Sequence, residues 1–233
     1  PAKGVHRLQL YSGGAEAVES ALRLAKCHTG KYEVIGFWGG FHGKTMGALS
    51  LMGSTFKDKL GPMVPGAHQI PYADCYRCPI GLQYPSSGVA CADVGRKQVK
   101  IASAGAVAAV IVEPMQGTAG NIVPPKEFLP SARALADELG AVLIADEMIT
   151  GLGRTGKRWG VEHTGVKPDV VTLGTPHLGA DLALGVSHGS KVLALLPEIA
   201  GFGRILEHRS PGIRDLERGL PELPPLPDVY YRL

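Results

Sequence analysis

The apolar run Val142-Leu143-Ile144-Ala145 ends on Asp146 and passes directly into Glu147-Met148-Ile149-Thr150-Gly151-Leu152-Gly153-Arg154-Thr155-Gly156, a polar, glycine-rich loop. Continuous apolar residues read as a central strand of a parallel sheet, because such strands are buried on both faces. In open α/β sheets ligands bind at the carboxyl ends of the strands, so an acid at that position is a site candidate rather than structural filler. Asp169 to Gly174 reads as a second strand of the same kind, and the residue that leaves it is Thr175.

The rest of the chain alternates in the same way. Arg7 to Tyr11 reads as a short strand, and Glu16 to Lys26 sets Val18, Ala21, Leu22 and Ala25 at helical spacing. Glu33 to Trp38 and Ala106 to Glu113 are further strands, and Lys126 to Leu139 is a helix with Phe128, Leu129, Ala132, Leu135 and Leu139 on one side. Strands separated by helices predict an α/β fold, a mostly parallel sheet with helices on both faces. From about Phe202 onward apolar periodicity gives way to Pro211, Pro221, Pro224, Pro225 and Pro227 among charges, which predicts an irregular tail over 201–233 after a large domain over 1–200.

Composition narrows the function classes. With 45% apolar and 19% charged residues, the 233-residue chain can bury a good core. The net charge of +3 is spread without a basic run, so neither nucleic acid nor an anionic membrane surface is expected as a partner. No run reaches the about 18 apolar residues of a membrane-spanning helix, and no signal-peptide pattern opens the chain. Four cysteines are sparse usage, which points to a reduced, cytoplasmic protein.

Three further segments carry chemistry. Ser12-Gly13-Gly14-Ala15-Glu16-Ala17 opens a helix, where glycine turns and unpaired N–H groups suit a phosphate; a plain tight turn with Glu16 as an N-terminal charge is the alternative. Phe41-His42-Gly43 follows Trp38-Gly39-Gly40 and places an aromatic ring on a glycine-framed loop, either to stack on a planar ligand or to pack at the loop edge. Glu113-Pro114-Met115-Gln116-Gly117 sets another carboxylate at a strand end. In a parallel sheet these strand ends share one edge and can face one pocket. Cys75 and Cys78 form a Cys-x-x-Cys with Cys91 further on; with no clear fourth ligand, free thiols are favoured over a metal centre.

Taken in order, these segments resemble the class III, ω-amino-acid group of pyridoxal-phosphate aminotransferases, the family of 4-aminobutyrate, acetylornithine and ornithine aminotransferases. The resemblance runs from about Arg7 to Gly189 and is most specific in Asp-Glu-x-x-Thr-Gly-x-Gly-Arg-Thr-Gly at Asp146 to Gly156. Ser12 to Ala17, Phe41 to Gly43, Glu113 to Gly117 and Lys167 to Gly174 support it, as does Pro71 to Pro79. It implies the large, cofactor-binding domain of a fold-type I enzyme, incomplete at its N-terminus, with the small domain largely missing. It also implies a homodimer that moves an amino group from an amine or ω-amino acid to a 2-oxo acid.

Residue roles follow from the resemblance. Gly13, Gly14 and Ala15 would offer N–H groups to the cofactor phosphate, and His42 stands in the cofactor-binding loop beside Phe41. Phe41 would stack on one face of the pyridine ring and Met148 would press on the other. Asp146 would pair with the ring nitrogen and keep it protonated, which makes the ring an electron sink. Glu113 would line the substrate side, and Ile149 stands where many members carry glutamine. The departure is Thr175, at the position where the family carries the lysine that forms a Schiff base with the cofactor and moves the substrate proton. A threonine hydroxyl does neither. The alternative reading is therefore a non-catalytic protein that binds the cofactor without covalent attachment, or a dimer-forming interaction domain.

Overall fold

Three continuous apolar runs of the sequence are strands buried along their length. In the computed structural model, which describes residues 6–53 and 55–173, the strands are β1 (Glu33–Phe37), β2 (Ala67–Ile70), β3 (Val107–Val112), β4 (Val142–Asp146) and β5 (Val170–Thr172). They pair in the order β2-β1-β3-β4-β5, every pair parallel. Every residue of β1, β3 and β4 is buried, the signature of a sheet covered on both faces.

Alternation along the strands sorts the core into two layers. Val34, Ala109, Ile111, Val142 and Ile144 face one way, onto Val18, Ala21, Leu22 and Ala25 of α1 (Gly14–Thr29) and Ala48 of α2 (Met46–Ser50). Ile35, Phe37, Val110, Val112, Leu143 and Ala145 face the other way. They meet Val99 of α3 (Ala90–Ala102) and Phe128, Leu129, Ala132, Leu135 and Ala136 of α4 (Phe128–Leu139). Phe37, Tyr72 and Phe128 interlock edge-to-face, with ring centroids 4.6–6.0 Å apart.

Two charged anchors fix the amino-terminal rim of the sheet. The Glu33 carboxylate, on a residue 4% exposed, accepts bonds from Ser103 Oγ, the Ala104 and Ala106 N–H groups and His68 Nε2. Burial raises its pKa, but these bonds outweigh that and hold it at about 2. Asp169 Oδ2 receives both Arg133 Nη1 of α4 and the Leu143 N–H of β4 at 2.7 and 2.8 Å, so one carboxylate joins helix to sheet.

The structure corrects one expected element. Residues 6–11 carry no regular structure and are exposed, Leu8 by 56% and Leu10 by 68%, because no described strand pairs with them. The turn at Ser12 is therefore not preceded by a strand. The described residues lie within one compact unit, Pro1–Gly174; the expected boundary at 200/201 and the tail over 201–233 fall outside them. Among the described residues no helix is long and apolar enough to cross a membrane.

Candidate functional site

Parallel pairing brings the carboxyl ends of the strands to one edge, and the acidic strand ends meet there. Asp146, the last residue of β4, is 2% exposed. Its Oδ2 lies 2.7 Å from His42 Nδ1, and its Oδ1 accepts Thr172 Oγ1 at 2.8 Å and the Met148 N–H at 3.2 Å. A carboxylate only accepts, so the imidazole directs Nδ1–H at it. The structure thus places His42 behind Asp146, with its side chain 1% exposed. Thr172 is the register partner of Asp146 across β4 and β5.

Glu113, leaving β3, is the second acid of the edge and is also buried. Its Oε1 accepts the Phe41 N–H at 2.8 Å and its Oε2 accepts the Gly117 N–H at 3.3 Å, which ties the loop after β1 to the loop after β3. Burial raises its pKa, with the Asp146 charge adding to the rise and His42 and the two N–H groups opposing it. The Tyr72 hydroxyl donates to the Glu113 carbonyl at 3.0 Å. Gln116, 1% exposed, donates Nε2 to the Trp38 carbonyl at 2.9 Å and closes the same seam. The half-buried Phe41 ring meets Phe56 edge-on at 5.7 Å, and Lys44 Nζ lies 5.0 Å over the Phe56 ring.

The turn at Ser12 joins this edge through close backbone approaches. A Cβ on Gly14 would lie 2.9 Å from Met148 Sδ, and one on Gly43 would lie 2.6 Å from Ala15 Cβ. Gly43 also holds φ at +124°, outside the range of ordinary side chains. Gly13 precedes α1 in extended conformation with no side-chain cap, so the first-turn N–H groups at Gly14 and Ala15 have no intrahelical partner. Glu16 Oε2 instead receives the Ser12 N–H and hydroxyl, and these bonds lower the Glu16 pKa. The predicted residues Gly13, Gly14, Ala15, Phe41, His42, Glu113, Asp146 and Met148 therefore lie along one connected edge. Thr175 lies outside the described residues.

Glu147, the neighbour of Asp146, is fully buried and turns away from its acidic twin. Its Oε2 accepts Thr150 Oγ1 at 2.5 Å and the Gly160 N–H at 2.9 Å, and its Oε1 accepts the Val161 N–H at 2.9 Å. It fastens the glycine-rich loop to the 3₁₀ turn Gly160–His163. Sequence reasoning assigned no role to Glu147 or Thr172, although both lie within recognised motifs. Elsewhere, Cys75, Cys78 and Cys91 are free thiols lining one small cavity, and burial pushes Cys75 and Cys91 up, toward the protonated form. Among the described residues no group of three or more His, Cys, Asp or Glu could hold a metal ion.

The family profile described as Aminotransferase class-III matches residues 2–197. The putrescine aminotransferase of Pectobacterium atrosepticum is 41% identical over 182 residues, covering 76% of this chain and 35% of that protein. The leucine/methionine racemase of Thermococcus litoralis is 36% identical over 189 residues, covering 80% of this chain and 42% of that protein. The chain thus spans well under half the length of these relatives. An amine transaminase from an uncultivated Pseudomonas species, solved in its PLP-bound form, is 34% identical with a TM-score of 0.64, over 70% of this chain and 38% of that one.

Proposed function

The chain belongs to the class III aminotransferase family, and we propose that the edge built around Asp146 is its site for pyridoxal 5'-phosphate. The observation that carries this reading is the Asp146 carboxylate, buried at a strand end and held by His42 and Thr172. The residues fit the cofactor. A fixed, buried carboxylate suits a protonated ring nitrogen, the unpaired first turn of α1 suits a phosphate, and Gly14 lets Met148 lie against that turn.

When bound, the cofactor supplies an electron sink for a carbanion formed on the substrate. Asp146 would hold the proton on the ring nitrogen, and the His42 imidazole keeps its carboxylate aimed. The Gly14 and Ala15 N–H groups would bind the phosphate. Phe41 and Met148 would confine the ring and exclude water. Glu113 lines the substrate side, bracing the Phe41 backbone through its carboxylate. The family reaction, transfer of an amino group from an amine or ω-amino acid of the 4-aminobutyrate type to a 2-oxo acid, belongs to the whole protein working as a homodimer.

Thr175 sets the limit of this reading. An amine at that position would make the covalent link and carry the proton; a hydroxyl does neither, so the chain binds the cofactor without a covalent bond and does not turn over. Loss of a positioned general base alone costs about 10² to 10⁴ in rate. The test is an absorbance spectrum of the chain with pyridoxal phosphate, before and after borohydride, beside Thr175→Lys. Non-covalent binding by the unchanged chain and a borohydride-sensitive band only in the variant are expected. A reducible band in the unchanged chain, mapped to another lysine, would restore a catalytic reading, and no binding by either protein would reject the site.

A further inference from the structure

We infer that Thr172 is a positioning residue for the cofactor site: its hydroxyl occupies one oxygen of Asp146, so that a protonated ring nitrogen is received on the other. This rests on the reading of Asp146 given above. Thr172 is 3% exposed, and its Oγ1 lies 2.8 Å from Asp146 Oδ1. The Met148 N–H reaches the same oxygen at 3.2 Å. A carboxylate oxygen accepts about two hydrogen bonds, so Oδ1 is full. Oδ2 has His42 Nδ1 at 2.7 Å as its one hydrogen-bond partner among the described residues, and a carboxylate oxygen can accept a second bond.

The arrangement follows from strand register. Asp146 and Thr172 stand opposite each other on β4 and β5, and the Thr172 carbonyl accepts the Glu147 N–H at 3.0 Å. One residue therefore holds the Asp146 side chain through its hydroxyl and the following peptide through its carbonyl. Without the hydroxyl, Oδ1 keeps only the longer bond from Met148, and the carboxylate can turn about its Cβ–Cγ bond and divide its charge between two directions. A hydroxyl here that merely satisfied its own hydrogen-bonding need would leave ligand recognition unchanged when removed.

The experiment uses the full chain as the natural residue, Thr172→Val, Thr172→Ser and Thr172→Ala. Each is titrated with pyridoxamine 5'-phosphate labelled with ¹⁵N in the ring, a probe that needs no lysine. Affinity comes from the titration, and the protonation of the ring nitrogen from its ¹⁵N chemical shift. The natural chain and Thr172→Ser are expected to bind alike with a protonated ring nitrogen. Thr172→Val and Thr172→Ala are expected to bind about tenfold more weakly, the scale of one hydrogen bond to a charged group, with a shift toward the unprotonated value. Thr172→Ser and Thr172→Ala differ only by the hydroxyl, so that pair decides the matter even if Thr172→Val does not fold. Equal affinity and equal ¹⁵N shift across the folded proteins would overturn the inference and leave the cofactor reading standing. Failure of the natural chain itself to bind the probe would reject the cofactor reading, and the inference with it.

Discussion

His42 Nδ1 and Asp146 Oδ2 meet at 2.7 Å with both side chains at most 2% exposed, so neither has water as a substitute partner. His42→Ala strands a buried carboxylate oxygen, and a loss of about 1–3 kcal/mol in unfolding free energy is expected. Asn is a closer replacement, since its side-chain NH₂ falls near the position of the imidazole Nδ1. His42→Asn should therefore recover part of both the stability and the affinity for pyridoxamine phosphate that His42→Ala loses. Urea unfolding and a binding titration on the two variants check this; equal losses in both would mean that the ring's packing, not its hydrogen bond, matters.

Gly43 joins the Phe41 loop to the turn at Ser12, and it is the least replaceable of the site glycines. Its φ of +124° excludes ordinary side chains, and a Cβ would meet Ala15 Cβ at 2.6 Å and Ala15 Cα at 2.9 Å. Gly43→Ala is expected to cost about 2–5 kcal/mol, backbone strain and steric displacement together. Gly14→Ala should cost less, because the atom it meets is the thioether of Met148, which can swing aside. Thermal unfolding of the two variants ranks them; a milder effect at Gly43 would contradict the close approach.

The Asp146 strand was legible because burial on both faces leaves a continuous apolar run ending abruptly on an acid. β2 and α3 were among the elements that were not, for want of that signal. Only Ile70 of β2 is buried, and α3 buries just Cys91, Gly95 and Val99. Residues 7–11 misled in the opposite sense, since alternation makes a strand only where a partner supplies the ladder. The bond from Thr172 to Asp146 depends on the register of β4 against β5, which no local pattern encodes. Glu147 shows the same limit: two of its three donors lie 13 and 14 positions away, and no local pattern assigns them to it.

That fully buried Glu147 predicts a purely structural phenotype. Glu147→Ala leaves the Gly160 and Val161 N–H groups and the Thr150 hydroxyl without their acceptor, and a cost on the order of 3 kcal/mol or more is expected. Folded Glu147→Ala, below its unfolding temperature, should still bind pyridoxamine phosphate within about threefold of the unchanged chain, a difference of roughly 0.7 kcal/mol. A selective loss of binding without loss of stability would instead assign Glu147 to the site.

Glu33 predicts the acid limb of stability. Its folded pKa, about 2, lies below the ordinary 4.5, so its contribution is fully present above about pH 4.5 and lost as pH falls toward 2. In Glu33→Gln that limb should flatten. Urea midpoints measured across this range for both proteins test it, and parallel curves would show that the four donors around Glu33 do not favour its charged form.

Glu113 carries the opposite sign. Burial holds its folded pKa above the ordinary 4.5. Its protonated form is the one the fold favours, so its contribution is fully present below about pH 4.5 and lost as pH rises through the folded value. Glu113→Gln removes that titration while one amide oxygen still accepts from Phe41 or Gly117. Whatever offset the substitution brings, the stability difference should therefore move in favour of Glu113→Gln between about pH 4 and about pH 7. Urea unfolding of the two proteins at both pH values reads the change directly. A difference independent of pH would mean that the N–H groups of Phe41 and Gly117, with His42 nearby, fully offset the burial of this carboxylate.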